Sequence, residues 1–176
     1  MKKLTTDEMH RLSVEEFRQS EKLPIVVVLD NVRSKNNIGS VFRTADAMGI
    51  GVIHCCGITA TPPDRDIHKT ALGAEDSVAF NYFDDASLSV KQLKEKGYRV
   101  YAVEQTHDSL KLGTDAIDCS HPVALVLGNE IDGVQESVLA LCDAFIEIPQ
   151  YGSKHSLNVS CAAAIAMWEI SKTMRL

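Results

Sequence analysis

Short apolar runs, separated by longer amphipathic stretches, set the pattern of this chain. IVVVL (25–29), VIHCC (52–56), YRVYAV (98–103), VALVL (123–127) and FIEI (145–148) are continuous rather than alternating. Runs of this length and β-branched content suit strands covered on both faces. Between them, IGSVFRTADAMG (38–49), DDASLSVKQLKEKG (84–97), VQESVLALC (134–142) and LNVSCAAAIAMWEISKTM (157–174) read as helices. Strands alternating with helices predict an α/β fold with a mainly parallel sheet flanked by helices. Ahead of the first strand, Thr5 with Glu8 and Ser13 with Glu16 form two capping boxes. Leu4 with Met9 and Leu12 with Phe17 are placed to staple them. Residues 1–22 are therefore expected to be a helical arm ending before Pro24, and residues 1–176 to be one domain.

Composition narrows the function. With 176 residues, 45% of them hydrophobic, the chain can fill one core. No run approaches the ~18 apolar residues that span a bilayer. The opening MKKLTTDEMHRLSVEEF has no apolar stretch of the secretory kind, so a cytoplasmic location is expected. Cys55, Cys56, Cys119, Cys142 and Cys161 form no CxxC and no paired framework, which suits reduced thiols. Cys55 and Cys56 end an apolar strand and read as packing residues rather than a redox pair. The net charge of −6 gives no overall attraction for nucleic acid, so an anionic partner needs a local basic cluster.

In a sheet of this kind, ligands collect beyond the carboxyl ends of the strands. No GxGxxG follows the first strand, and no GxxxxGK[ST] occurs, so dinucleotide and phosphate-loop fingerprints are absent. The histidines show no HExxH and no zinc spacing with cysteine, and no metal is expected. A serine hydrolase would need a GxSxG elbow, which is also missing. Ser153 and Ser156 flank His155, but such close neighbours in sequence rarely face each other as nucleophile and base. What remains is polar and glycine-bearing: NVRSKNNIGSVFRTA, GNEIDG and PQYGSKHSLN, each at a strand exit. GITATPPDRDIHKTALGA and EQTHDSLKLGTD follow two other strands and read as long loops.

The three exits carry a resemblance. The first fits Asn-x-Gly-x-x-x-Arg-x-Ala at Asn37, Gly39, Arg43 and Ala45. The second fits Leu-Gly-x-Glu-x-x-Gly at Leu127, Gly128, Glu130 and Gly133. The third fits Ile-Pro-x-x-Gly followed by Ser-Leu-Asn-Val-Ser, at Ile148, Pro149, Gly152, Ser156, Leu157 and Asn158. Their order and spacing resemble the SpoU (TrmH-type) RNA 2′-O-ribose methyltransferases of the SPOUT superfamily, over roughly residues 25–172. The resemblance implies a trefoil knot around residues 122–172 that forms an S-adenosyl-L-methionine pocket, and a homodimer. It implies methyl transfer to a ribose 2′-hydroxyl of tRNA or rRNA. The alternative is a non-catalytic RNA-binding protein that keeps the knot.

Each site residue has a plainer structural reading beside the implied one. Arg43 could be a surface helix arginine in an ion pair; the resemblance makes it grip the target ribose and phosphate. A guanidinium stays protonated, so a bidentate hold suits it better than general-base work. Asn37 could simply cap a helix, as could Ser156 and Asn158; the resemblance sets Ser156 and Asn158 beside the reacting ribose and the cofactor, and makes Asn37 a supporting member of the site. Glu130 is implied to tie the motif loops together. Leu127, Gly128, Ile148, Ser156 and Leu157 are implied to hold the cofactor. Arg33, Lys35, Arg43, Arg65, His68, Lys69, Lys154 and His155 lie at or near strand exits and form a candidate RNA rim. Cys161, Ile165 and Trp168, beside the small run Ala162–Ala164, offer a face for a second copy.

Overall fold

The computed structural model describes residues 1–5 and 7–175. A 3-10 turn at Asp7–Met9 and α1 (Val14–Gln19) precede β1 (Leu23–Asp30), α2 (Lys35–Met48) and β2 (Ile50–Cys56). There follow α3 (Arg65–Ala71), α4 (Ala74–Ser77), β3 (Ala79–Phe83), α5 (Ala86–Glu95), β4 (Arg99–Val103) and β5 (Leu110–Lys111). The chain closes with β6 (Val123–Leu127), α6 (Glu136–Leu139), β7 (Ala144–Glu147) and α7 (Val159–Arg175). Both N-terminal capping boxes form, each glutamate accepting from the backbone N–H of its cap residue. Of the four staple residues only Phe17 is buried; Leu4, Met9 and Leu12 stay exposed.

The strands make one seven-stranded sheet in the order β3-β2-β1-β6-β4-β7-β5, with every pairing parallel. The side chains of β1 explain why its sequence is apolar throughout. Ile25, Val27 and Leu29 enter a core shared with Phe42 of α2, Ile67 of α3 and Met167 of α7. Val26 and Val28 enter a second core with Val90 and Leu93 of α5 and Val138 of α6. Helices thus cover both faces, as a continuous β-branched run requires. Cys55 and Cys56 are buried, and burial pushes both thiols up to about 12, so they pack rather than react.

Several boundaries differ from the sequence reading. The helix expected at 38–49 starts at Lys35, because Ser34 Oγ accepts the Asn37 N–H and caps it. Asn37 is therefore not the cap, and its side chain is free for other work. The stretch after β2, read as a loop, holds α3 and α4; Asp64 caps α3 by accepting from Asp66 and Ile67. Gly39 makes room for α3: a Cβ there would lie 2.2 Å from both Ile67 O and Thr70 Oγ1. β3 lacks the apolar signature because it is an edge strand with largely exposed residues. The helix expected at 134–142 is confined to Glu136–Leu139, since Leu141 and Cys142 bond back three residues instead of four.

His54 on β2 is the most deeply buried histidine, and its surroundings keep it neutral. Asn81 Nδ2 lies 3.3 Å from Nε2 and Ser89 Oγ 2.7 Å from Nδ1, which assigns the ring proton to Nδ1. Burial, reinforced by the charge of Lys96, holds its pKa down to about 4. The unfolded chain binds a proton near pH 6.5 that the folded chain refuses, so stability is lost as pH falls from there toward 4. The loss is expected to be on the order of 3 kcal/mol. Urea denaturation between pH 7 and 4.5 should show a shallower slope for His54→Gln than for wild type; equal slopes would contradict this.

Candidate active site

β1, β6, β4 and β7 are consecutive in the sheet and parallel, so their exits emerge along one edge. Glu130, in the turn after β6, reaches across to the exit of β1. Its carboxylate accepts from the backbone N–H of Arg33 (3.0 Å) and Ser34 (2.9 Å) and from Asn37 Nδ2 (3.1 Å). Burial pushes this carboxyl up, but the donated hydrogen bonds outweigh it and hold it below the ordinary glutamate range. With its Nδ2 committed to Glu130, Asn37 presents Oδ1, which accepts from Asn158 Nδ2 (3.1 Å). Asn158 Oδ1 in turn accepts from Ser160 N–H (2.9 Å) and Oγ (2.6 Å) at the start of α7. Asn158 is therefore both a helix cap and a link to the first motif. One residue from each motif joins a single directed relay.

The turn after β6 is tight. Asn129 and Gly133 exchange two backbone hydrogen bonds of 2.9 and 3.0 Å. A Cβ on Gly128 would lie 2.1 Å from Gly133 C and 2.2 Å from Val134 N, so only glycine lets the backbone fold back. Buried Asp30, at the end of β1, accepts from Gln135 N (2.9 Å) and Nε2 (2.7 Å). Asn129 Nδ2 donates to Asn31 O at 2.8 Å.

Beyond the ends of β4, β6 and β7 lies a cleft of about 720 Å³, in the range of small-molecule sites. All five expected cofactor residues, Leu127, Gly128, Ile148, Ser156 and Leu157, line it, as do Glu130 and Asn158. Asn37 meets it through its two hydrogen bonds. Arg43 is not brought to the cleft: it is exposed on α2, outside the lining, with no ion pair among the described residues. Sequence reasoning missed Glu104 and Gln105, which also line the cleft. A charged residue closing an apolar strand was their only signal. The cleft offers apolar side chains for a flat ring and carboxylates for hydroxyl or cationic groups.

The basic rim is thinner than the sequence suggested. Lys35 pairs with Asp64 (2.7 Å), Lys69 with Asp66 (2.6 Å) and His68 with Glu75. Arg33, Arg43, Arg65 and Lys154 are exposed and form no ion pair among the described residues.

Comparison with known proteins identifies the family and the fold. Residues 24–168 match the model of the SpoU rRNA Methylase family. The chain is 33% identical to the tRNA (guanosine(18)-2′-O)-methyltransferase of Thermus thermophilus, covering 94% of this chain and 83% of that one. Its fold superposes on the crystal structure of the A. aeolicus TrmH/SpoU tRNA modifying enzyme with a TM-score of 0.81 and 25% identity, over 92% of this chain and 81% of that one. The AdoMet-bound rRNA methyltransferase from Sinorhizobium meliloti gives a TM-score of 0.80 and 28% identity, over 90% of this chain and 60% of that one. With one residue of each motif joined in the relay beside the cleft and the match running through nearly the whole chain, this protein belongs to the SpoU rRNA methylase family.

Proposed function

We propose that this protein transfers a methyl group from S-adenosyl-L-methionine to a ribose 2′-hydroxyl of tRNA or rRNA. The observation that carries the reading is the relay from Glu130 through Asn37 to Asn158 at the edge of a nucleoside-sized cleft. The residues present fit the cofactor. Leu127, Ile148 and Leu157 supply apolar contact for a base, Gly128 lets the turn behind it close into a tight wall, and the Glu130 carboxylate suits a hydroxyl or a cation. When bound, the cofactor supplies an electrophilic methyl on its sulfonium, chemistry that needs no metal.

The chain's own residues do the rest. Glu130 holds the exits of β1 and β6 together and fixes which way the Asn37 amide points. Ser156 and Asn158 border the place where the ribose enters. Arg43 acts from outside the cofactor cleft, gripping the ribose and its phosphate so that the hydroxyl lines up with the methyl. The RNA rests on Arg33, Arg65 and Lys154, cations that form no ion pair among the described residues.

Three further features belong to this reading. The segment around residues 122–172 is threaded as a knot, which the insertion of β6 between β1 and β4 and of β7 beside β4 supports. The active form is a cytoplasmic homodimer of this one domain. Exposed Ile165 and Trp168 on α7 support a covered face there.

Calorimetry with S-adenosylmethionine, then tritium transfer to total cellular RNA with mapping of 2′-O-methyl sites, tests the proposal. Binding followed by transfer to a ribose is expected. Binding without transfer to any RNA would favour a non-catalytic RNA-binding role instead.

A further inference from the structure

The end of β4 carries a dipeptide, Glu104-Gln105, that belongs to none of the three motif segments yet touches two of them. Glu104 is held in the sheet, its N–H donating to Ile146 O at 3.0 Å. Its carboxylate accepts from Gln105 N–H (2.9 Å) and, through Oε2, from Val134 N–H (3.3 Å). The same Oε2 would sit 2.4 Å from a Cβ on Gly133, so the carboxylate rests directly against the turn after β6. Gln105 points the other way: its Nε2 donates to the carbonyl of His155 at 2.8 Å, immediately before Ser156 and Leu157. The turn after β6 is one wall of the cleft, and the segment around Ser156 is the other. The Asn37 relay joins these walls through Glu130 and Asn158; Glu104 and Gln105 join them a second time, from the exit of β4.

We propose that Glu104 and Gln105 form a clamp that sets the width of the cleft and so the residence time of the nucleoside bound in it. The inference rests on the reading that this cleft takes S-adenosylmethionine. Both are positioning residues. The chemistry of each side chain makes it specific. A carboxylate accepts both N–H groups, whereas the amide of Glu104→Gln keeps one acceptor and turns an NH₂ toward the other donor. Gln105→Glu retains size but replaces a donor with an acceptor facing the His155 carbonyl. Gln105→Lys restores a donor of similar reach.

The test uses the full-length protein and S-adenosylhomocysteine, with dissociation followed by stopped-flow competition. E104Q and Q105E are each expected to raise the dissociation rate about fivefold, the scale of one lost hydrogen bond, and Q105K to recover most of it. In steady state the change should fall on the KM for S-adenosylmethionine more than on kcat, which general loss of folded protein would not produce. Wild-type dissociation rates in both variants, or a Q105K protein as impaired as Q105E, would overturn the clamp alone. A wild-type protein that binds no S-adenosylhomocysteine would overturn the underlying cofactor reading and the clamp with it.

Discussion

Arg43→Lys is expected to lower single-turnover methyl transfer by roughly a hundredfold or more, the scale of a lost transition-state contact. Affinity for S-adenosylmethionine should stay within about twofold of wild type, since the side chain lies outside the cleft. Lysine keeps the positive charge, so any role as a generic cation would survive the change. What lysine lacks is the planar fork that holds two oxygens in fixed geometry. Arg43 is exposed and engaged by no carboxylate among the described residues, so its loss should not unravel α2. Rapid-quench transfer rates beside calorimetric cofactor titration separate the two quantities. Near-normal turnover in this variant would remove Arg43 from the mechanism.

Gly128→Ala is expected to weaken cofactor binding roughly five- to a hundredfold, the result of about 1–3 kcal/mol of overpacking forced into the pocket wall. The added methyl would meet Gly133 C and Val134 N at 2.1 and 2.2 Å. Both are backbone atoms, so neither can swing aside as a side chain would. The turn must open, and it carries Glu130 and the bonds to Arg33, Ser34 and Asn37 with it. Gly152 is the contrast, because a methyl there has nothing within 4 Å. Gly152→Ala should melt at the wild-type temperature, and Gly128→Ala clearly lower. Full cofactor affinity in Gly128→Ala would show that the turn is not the wall described.

Legibility in the sequence followed burial and geometry. VALVL reads as a strand and is one without change of boundary, since both its faces are covered and every position must be apolar. AFNYF was invisible because an edge strand needs no such pattern. RDIHKTA hid behind two prolines, and what holds it as a helix is the Asp64 cap and the bare surface of Gly39, a contact 28 positions away in the chain. The motif residues were legible as a set, but their connections were not. Nothing in the spacing says that Asn37 turns its amide nitrogen to Glu130 and its oxygen to Asn158. Arg43 was named with the site yet stands apart from the cleft, because six residues along a helix turn it to a different face from Asn37.

The order of strands in the sheet also governs how the protein can be made. β6 enters between β1 and β4, and β7 between β4 and β5, so later-synthesised strands wedge between earlier ones. A nascent chain emerging up to Pro122 has β1 and β4 with vacant edges, which are templates for pairing with other chains. The cleft draws its walls from residues between Val103 and Ala162, so no earlier intermediate owns a complete one. A ligand stabilises only the species that binds it, so S-adenosylmethionine cannot rescue these early forms. Protection by the cofactor therefore begins only once β6, β7 and the start of α7 have been made and have joined the sheet.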